Sequence, residues 1–100
     1  MFRKIGAVFD RLTGRELNID DKRKLIRLGR DEYKYLDGDH ALVLQIEMLA
    51  GKPDRLLYSS TIKHWLPPHE NEPIDSAQRS EIAQRISHCI EKAGCTIEVN

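Results

Sequence analysis

Four histidines are the residues of this 100-residue sequence best suited to metal binding or acid–base chemistry. A compact zinc site usually takes two of its ligands from one element, a few residues apart. The adjacent pair His88 and Cys89 does not easily bind one ion, because neighbouring residues on a helix point about 100° apart. The other three, His40, His64 and His69, form no tight pair on one predicted element. The spacing therefore predicts no metal site.

Two short motifs contain some of the residues of a known kind of site, a calcium-binding loop and a catalytic serine site, but each lacks residues that such a site requires. Asp37-Gly38-Asp39 begins like a calcium loop, but it lacks the glycine at position six and the glutamate at position twelve. An Asp-Gly pair between apolar runs is typical of a hairpin turn. Ser59 and Ser60 lie near His64, but no glycine-rich elbow precedes them. We therefore predict no catalytic residues and no cofactor.

Composition indicates one soluble globular domain covering residues 1–100, with 40% hydrophobic and 32% charged residues. No apolar run is long enough to span a bilayer, and no signal peptide is recognisable, so we expect a cytoplasmic protein without a membrane partner. Cys89 and Cys95 are the only cysteines. We interpret them as two buried thiols, since a disulfide, the alternative, is disfavoured in the cytosol.

Charge is balanced overall but unevenly distributed. Residues 1–30 carry nine Lys or Arg and four Asp or Glu, whereas residues 31–75 carry four and nine. This asymmetry argues against a nucleic-acid binder with one dominant basic face. It suits an acidic middle segment that meets a basic partner, although the charges could also simply solvate the faces of a sheet.

The stretch 75–94 predicts a long amphipathic helix, from about Ser76 to Ala93. Asp75 or Ser76 can cap the free amides of the first turn, and Asp75 has capping-box spacing to Gln78. Gly94 is suited to end the helix. One apolar stripe follows the helical period and needs a sheet to cover it. Its residues are Ile82, Ile86, Cys89, Ile90 and Ala93.

The rest of the chain predicts an α+β fold, an antiparallel sheet of about four to five strands packed by this C-terminal helix. Residues 1–14 predict a short N-terminal helix, with a strand as the alternative, and residues 15–21 a connector. Residues 22–62 predict an antiparallel meander, and residues 95–99 a final strand. In the first strand we expect Ile26 and Leu28 to face the core and Arg27 to face outward.

Residues 63–74, called here the Pro-rich loop, separate the meander from the helix. Prolines at 67, 68 and 73 exclude a regular ladder and stiffen the loop. Trp65 invites two interpretations: it packs over one end of the sheet, or it serves with nearby acids as an anchor for a partner.

Several segments resemble, in order, small immunity proteins of bacterial polymorphic-toxin systems, including contact-dependent growth inhibition. The resemblance covers roughly residues 30–99, and the Trp-x-x-Pro-His segment followed by the helix is its most specific part. The segments are Tyr33-x-Tyr35-x-Asp37-Gly38, Ile46-Glu47-x3-Gly51, Ile62-x2-Trp65-x-x-Pro68-His69, Ile74-x4-Arg79-x2-Ile82-x3-Ile86 and Gly94.

The resemblance implies a non-enzymatic protein that binds a cognate toxin C-terminal domain, often a nuclease, in a 1:1 complex. No catalytic residues, cofactor or direct nucleic-acid contact are implied. We expect the hairpin turn and the Pro-rich loop to form the toxin-binding surface. The expected contact residues are Asp37, Asp39, Trp65, His69, Glu70 and Glu72.

Two other hypotheses remain at this point. A small nucleic-acid-binding or adaptor module would use the basic segment 22–30, with Arg23, Lys24 and Arg27 as its contacts, together with Arg30. A small enzyme is the other. Unpaired edge strands in so small a sheet also leave room for a homodimer.

Overall fold

The computed structural model describes residues 16–100 and shows one six-stranded sheet with one α-helix. The strands are β1 (Glu16–Asn18), β2 (Arg23–Arg27), β3 (Glu32–Asp37), β4 (His40–Met48), β5 (Arg55–Tyr58) and β6 (Ile97–Val99). A 3₁₀ turn (Ser59–Thr61) follows β5, and helix α1 (Ser76–Lys92) precedes β6.

Strand order in the sheet follows chain order, from β1 to β6. The first five strands are antiparallel to their neighbours, and β6 pairs in parallel with β5. The reason lies in the connection: the chain leaves the last residue of β5, passes through the Pro-rich loop and α1, and starts β6 at the opposite end of the sheet, where β5 also starts. A crossover of this kind gives parallel pairing, whereas a hairpin gives antiparallel pairing.

One face of the sheet and one stripe of the helix form the core. Alternate residues along the strands point to this face, and they meet across the register; Tyr35 lies between Leu25 and Leu42. The buried apolar residues of the strands are Leu25, Tyr33, Tyr35, Leu42, Leu44, Ile46 and Leu57, and the helix adds Ile82, Ala83, Ile86, Cys89 and Ile90.

Helix α1 confirms its sequence prediction closely. The Asp75 carboxylate accepts a hydrogen bond from the Gln78 amide at 2.7 Å, which satisfies one of the free amides of the first turn. Gly94 follows the helix with φ near 94°, a conformation that glycine adopts without a steric cost. Cys89 and Cys95 are buried free thiols, as predicted.

Three details of the predicted fold are wrong. The sheet has six strands rather than four or five, and it is mixed because of β6. Residues 16–18, predicted as part of a connector, form β1. The predicted meander reached residue 62, but its last strand ends at Tyr58, where the chain turns into the 3₁₀ turn. The predicted helix at residues 1–14 lies outside the described residues.

The predicted orientation of β2 is also wrong. Arg27 points to the core side together with Leu25, whereas Leu28 is 51% exposed. The buried guanidinium is satisfied because its Nε and Nη2 atoms donate to the carbonyls of Gly29 and Arg30, each at 2.8 Å. It also lies 6.0 Å from the centre of the Tyr33 ring.

Candidate functional site at the hairpin and the Pro-rich loop

The Pro-rich loop is fixed on the end of the β3–β4 hairpin by main-chain and aromatic contacts. The Leu66 amide donates to the Ala41 carbonyl at 2.7 Å. Trp65, only 5% exposed, belongs to the hydrophobic core, and its ring meets the His40 ring edge to face with centroids 5.0 Å apart. The loop is therefore held in one position against the start of β4.

Two consecutive turns in the loop place His69 and Glu72 on the same side. The His69 amide donates to the Leu66 carbonyl, and the Glu72 amide donates to the His69 carbonyl, each at 3.0 Å. On the hairpin, Gly38 adopts φ near 63°, which turns the chain so that Asp39 and His40 approach the loop. These four side chains form one cluster.

Within this His–carboxylate cluster, two imidazoles alternate with two carboxylates. His40 Nδ1 lies 2.8 Å from Asp39 Oδ1, and His40 Nε2 lies 2.7 Å from Glu72 Oε1. His69 Nδ1 lies 2.6 Å from Glu72 Oε2, and His69 Nε2 lies 3.6 Å from Asp39 Oδ2. The two rings stack with centroids 3.6 Å apart and planes 14° apart. Each carboxylate thus bridges both rings.

Hydrogen bonds within the cluster shift the pKa values of His40, Glu72 and Asp39 in the directions that favour their charged forms. The hydrogen bond to Glu72, and then the one to Asp39, raises the pKa of His40. The bond from His40, and then the one from His69, lowers the pKa of Glu72. The bond from His40 also lowers the pKa of Asp39.

The cluster also presents potential metal ligands. One ligand atom each from Asp39, His40 and His69 lie within 4.8 Å of one another. Sequence spacing did not predict this set, because the ligands come from two segments that only the folded chain brings together.

The predicted contact residues fall into three groups. Asp39, Glu70 and Glu72 are exposed, and Glu70 makes no hydrogen bond or ion pair with any other described residue. His69 is half-buried inside the cluster, and Trp65 lies in the core beneath the His40 ring. Asp37 lies apart from the cluster.

The Asp37 carboxylate instead accepts hydrogen bonds from Arg23 Nε at 3.1 Å and from the Tyr35 hydroxyl at 3.4 Å. Sequence reasoning did not select His40 for the contact surface. The one available signal was its position directly after the Asp-Gly turn, which puts it beside Asp39.

The basic segment 22–30 is largely occupied by contacts within the chain. Arg23 forms ion pairs with Asp20 and Asp37 at 2.7 and 3.1 Å, and Lys24 pairs with Glu16 at 3.2 Å. Arg27 is buried. A phosphate backbone would have to displace these partners, which weakens the nucleic-acid hypothesis.

An open groove of about 780 Å³ lies elsewhere, between α1 and β6. Small polar side chains such as Ser80 and Ser87 line it, together with His88 and Glu91. Within residues 16–100, no serine side chain is hydrogen-bonded to a histidine.

Comparison with known families decides the class of this chain. The model of the family named Immunity protein 74 (Imm74) matches residues 25–100, which is most of the chain. The chain belongs to the Imm74 family. It matches none of the curated proteins and none of the solved structures with which it was compared.

Membership of Imm74 confirms the resemblance to immunity proteins of polymorphic-toxin systems. Such proteins bind a cognate toxin, and their families are typically non-enzymatic inhibitors. The matched region begins at Leu25, inside β2, and includes the hairpin, the Pro-rich loop and α1. No helix within residues 16–100 is long and apolar enough to cross a membrane.

Proposed function

We propose that this Imm74 protein binds and neutralises the C-terminal toxin domain, a nuclease, of a contact-dependent growth inhibition or related polymorphic-toxin system. The Imm74 match over residues 25–100 is the observation that carries the proposal. The protein acts in the cytoplasm of the producing cell, in a 1:1 complex that protects the cell from the toxin.

The proposed contact surface is the tip of the hairpin together with the Pro-rich loop. Its exposed side chains include the carboxylates of Asp39, Glu70 and Glu72, and that of Asp39 is 82% exposed. A nuclease handles phosphate and therefore carries a basic surface, so an acidic patch complements it. Asp37 and His69 extend this surface, while the buried Trp65 holds the loop in position beneath it.

Rigidity supports the choice of this surface. The loop is stiffened by proline, its Leu66 amide is bonded to Ala41, and its His69 and Glu72 side chains are bonded to one another. A surface that is already ordered loses little conformational entropy when it binds, so more of the contact energy remains as affinity.

The first experiment tests the function. We expect a large toxin gene directly upstream, and the C-terminal domain that it encodes is expressed alone and together with this chain. We expect toxicity that co-expression relieves, and a 1:1 complex on size-exclusion chromatography. Absence of both protection and complex would overturn the proposal.

The second experiment tests the surface. Glu70→Lys reverses a charge that no other described residue pairs with, so it changes the surface and leaves the fold intact. We expect about tenfold weaker toxin binding, with a slower association rate and a changed salt dependence. Glu91→Lys, the same change at an exposed position of α1, is the matched control. Weakening by the control alone would move the contact surface to α1.

A further inference from the structure

The His–carboxylate cluster has one side on which acceptor atoms converge. Glu72 lies within hydrogen-bond distance of one nitrogen on each ring, at 2.7 and 2.6 Å, whereas Asp39 reaches only one ring that closely. The neutral tautomers that fit best therefore place the protons on His40 Nε2 and His69 Nδ1, both donating to Glu72.

With these tautomers, the unprotonated nitrogens of both rings face Asp39. His40 Nδ1 and His69 Nε2 then offer lone pairs beside a carboxylate, at 2.8 and 3.6 Å from its oxygens. Three acceptors cannot satisfy one another, so this side of the cluster needs a positive charge between them. A proton or a metal cation can supply it.

The geometry points to a site for one divalent transition-metal ion of the zinc class, bound by Asp39, His40 and His69. The three ligand atoms already lie within 4.8 Å of one another. Two imidazoles and a carboxylate form a donor set that suits zinc rather than magnesium or calcium, which prefer oxygen ligands.

Glu72 supplies the arrangement that metal-bound histidines commonly show. A histidine that binds zinc usually donates its other ring N–H to a carboxylate, which fixes the tautomer and orients the ring. Here a single carboxylate does so for both histidines, through two different oxygens. Glu72 is thus a positioning residue, and Asp39, His40 and His69 are the ligands.

Binding requires a small rearrangement that can be observed. One ion cannot lie in the planes of two rings that stack 3.6 Å apart, so at least one imidazole must turn out of the stack. The His40 ring contacts Trp65, the only tryptophan of the chain. Metal binding should therefore change tryptophan fluorescence, and the ion would join the loop to the hairpin.

The test uses the full chain, freed of metal with a chelator, without any toxin, so its result does not depend on the proposed function. We expect calorimetric titration with Zn²⁺ to give one ion per chain and Mg²⁺ to give none. Cobalt should produce the visible absorption of a tetrahedral site, and the Trp65 emission should change over the same titration.

Four variants locate the ion. Asp39→Asn and His69→Asn remove ligands and should weaken Zn²⁺ binding at least tenfold. Glu72→Gln should weaken it by roughly 10–100-fold, as loss of an orienting carboxylate does. Glu70→Gln, at the residue after His69, is the matched control and should bind Zn²⁺ as tightly as the wild type. Asp39→Asn changes an exposed turn residue, so it reports on binding even where His69→Asn disturbs the fold.

Three results would overturn the proposal. They are no saturable Zn²⁺ binding, binding that Asp39→Asn and His69→Asn leave unchanged, and a cobalt–thiolate charge-transfer band that assigns the ion to Cys89 or Cys95. If Zn²⁺ does not bind saturably, the positive charge between the two ring nitrogens and the Asp39 carboxylate is supplied by a proton alone.

Discussion

His40 and His69 stack face to face, with ring centroids 3.6 Å apart, although one lies at the start of β4 and the other in the Pro-rich loop. Parallel imidazoles gain little from one another unless neighbouring charges hold them. The carboxylates of Asp39 and Glu72 do so, and Trp65 supports the His40 ring from the core side. The position of the loop therefore depends on one tryptophan below and two carboxylates beside the rings.

Trp65→Ala should be among the most destabilising single substitutions in the chain. The side chain is only 5% exposed, and truncating a buried aromatic costs about 3–5 kcal/mol. Urea unfolding measures the loss, and Leu28→Ala, at a leucine that is 51% exposed, is the control with an expected change within about 0.5 kcal/mol. Equal effects of the two substitutions would contradict the burial of Trp65.

Asp75→Ala should remove the N-cap of α1. The carboxylate accepts the Gln78 amide at 2.7 Å, and loss of such a cap costs about 1 kcal/mol. Asp75→Asn keeps an acceptor at the same place and should retain most of the stability. Circular dichroism during thermal unfolding compares the two variants, and a melting temperature as low for asparagine as for alanine would show that the side-chain acceptor is not what stabilises the helix.

Gly38→Ala and Gly29→Ala form a matched pair, because Gly29 precedes β3 in the chain and Gly38 directly follows it. Neither glycine has a heavy atom within 4 Å of an added Cβ, so crowding does not distinguish them. Gly38 has φ near 63°, where an alanine costs about 1–2 kcal/mol, whereas Gly29 lies outside the left-handed region. We expect Gly38→Ala to destabilise the chain and Gly29→Ala to be neutral or slightly stabilising. Chemical denaturation of both variants tests the pair.

Burial raises the pKa of the Cys89 thiol, which makes stability depend on alkaline pH. Because the pKa is higher in the folded state, the thiol contributes its full stability below the unfolded pKa and loses it as pH rises toward the folded pKa. The difference in unfolding free energy between the wild type and Cys89→Ala should therefore shrink above about pH 8.5. A difference that stays constant between pH 7 and pH 10 would show that folding leaves this pKa unchanged.

The helix could be predicted well from sequence because its signals are local. The i, i+4 spacing of Ile82 and Ile86, the cap at Asp75 and the glycine at 94 all act within a few residues. The orientation of β2 could not be predicted from the same kind of signal. It depends on the carbonyls of Gly29 and Arg30, which satisfy a buried arginine and become available only when the β2–β3 turn has formed.

The candidate site was predicted only in part for a similar reason. The hairpin turn and the Pro-rich loop are both visible in the sequence, and Trp65 was recognised as either a core residue or an anchor. The pairing of His40 with Glu72 joins residues 32 positions apart, and no local pattern reports such a contact. The potential metal ligands were missed for the same reason, because His69 lies about thirty positions from Asp39 and His40, on a separate segment.

The parallel pairing of β5 with β6 has a consequence for synthesis on the ribosome. The ladder joins segments about forty residues apart, as the bonds between Asp54 and Thr96 show. Until α1 and β6 have emerged, β5 exposes a row of unpaired amides and carbonyls, which is a template for pairing with another chain. A nascent or truncated chain that lacks β6 should therefore be the form of this protein most prone to aggregate and most in need of a chaperone.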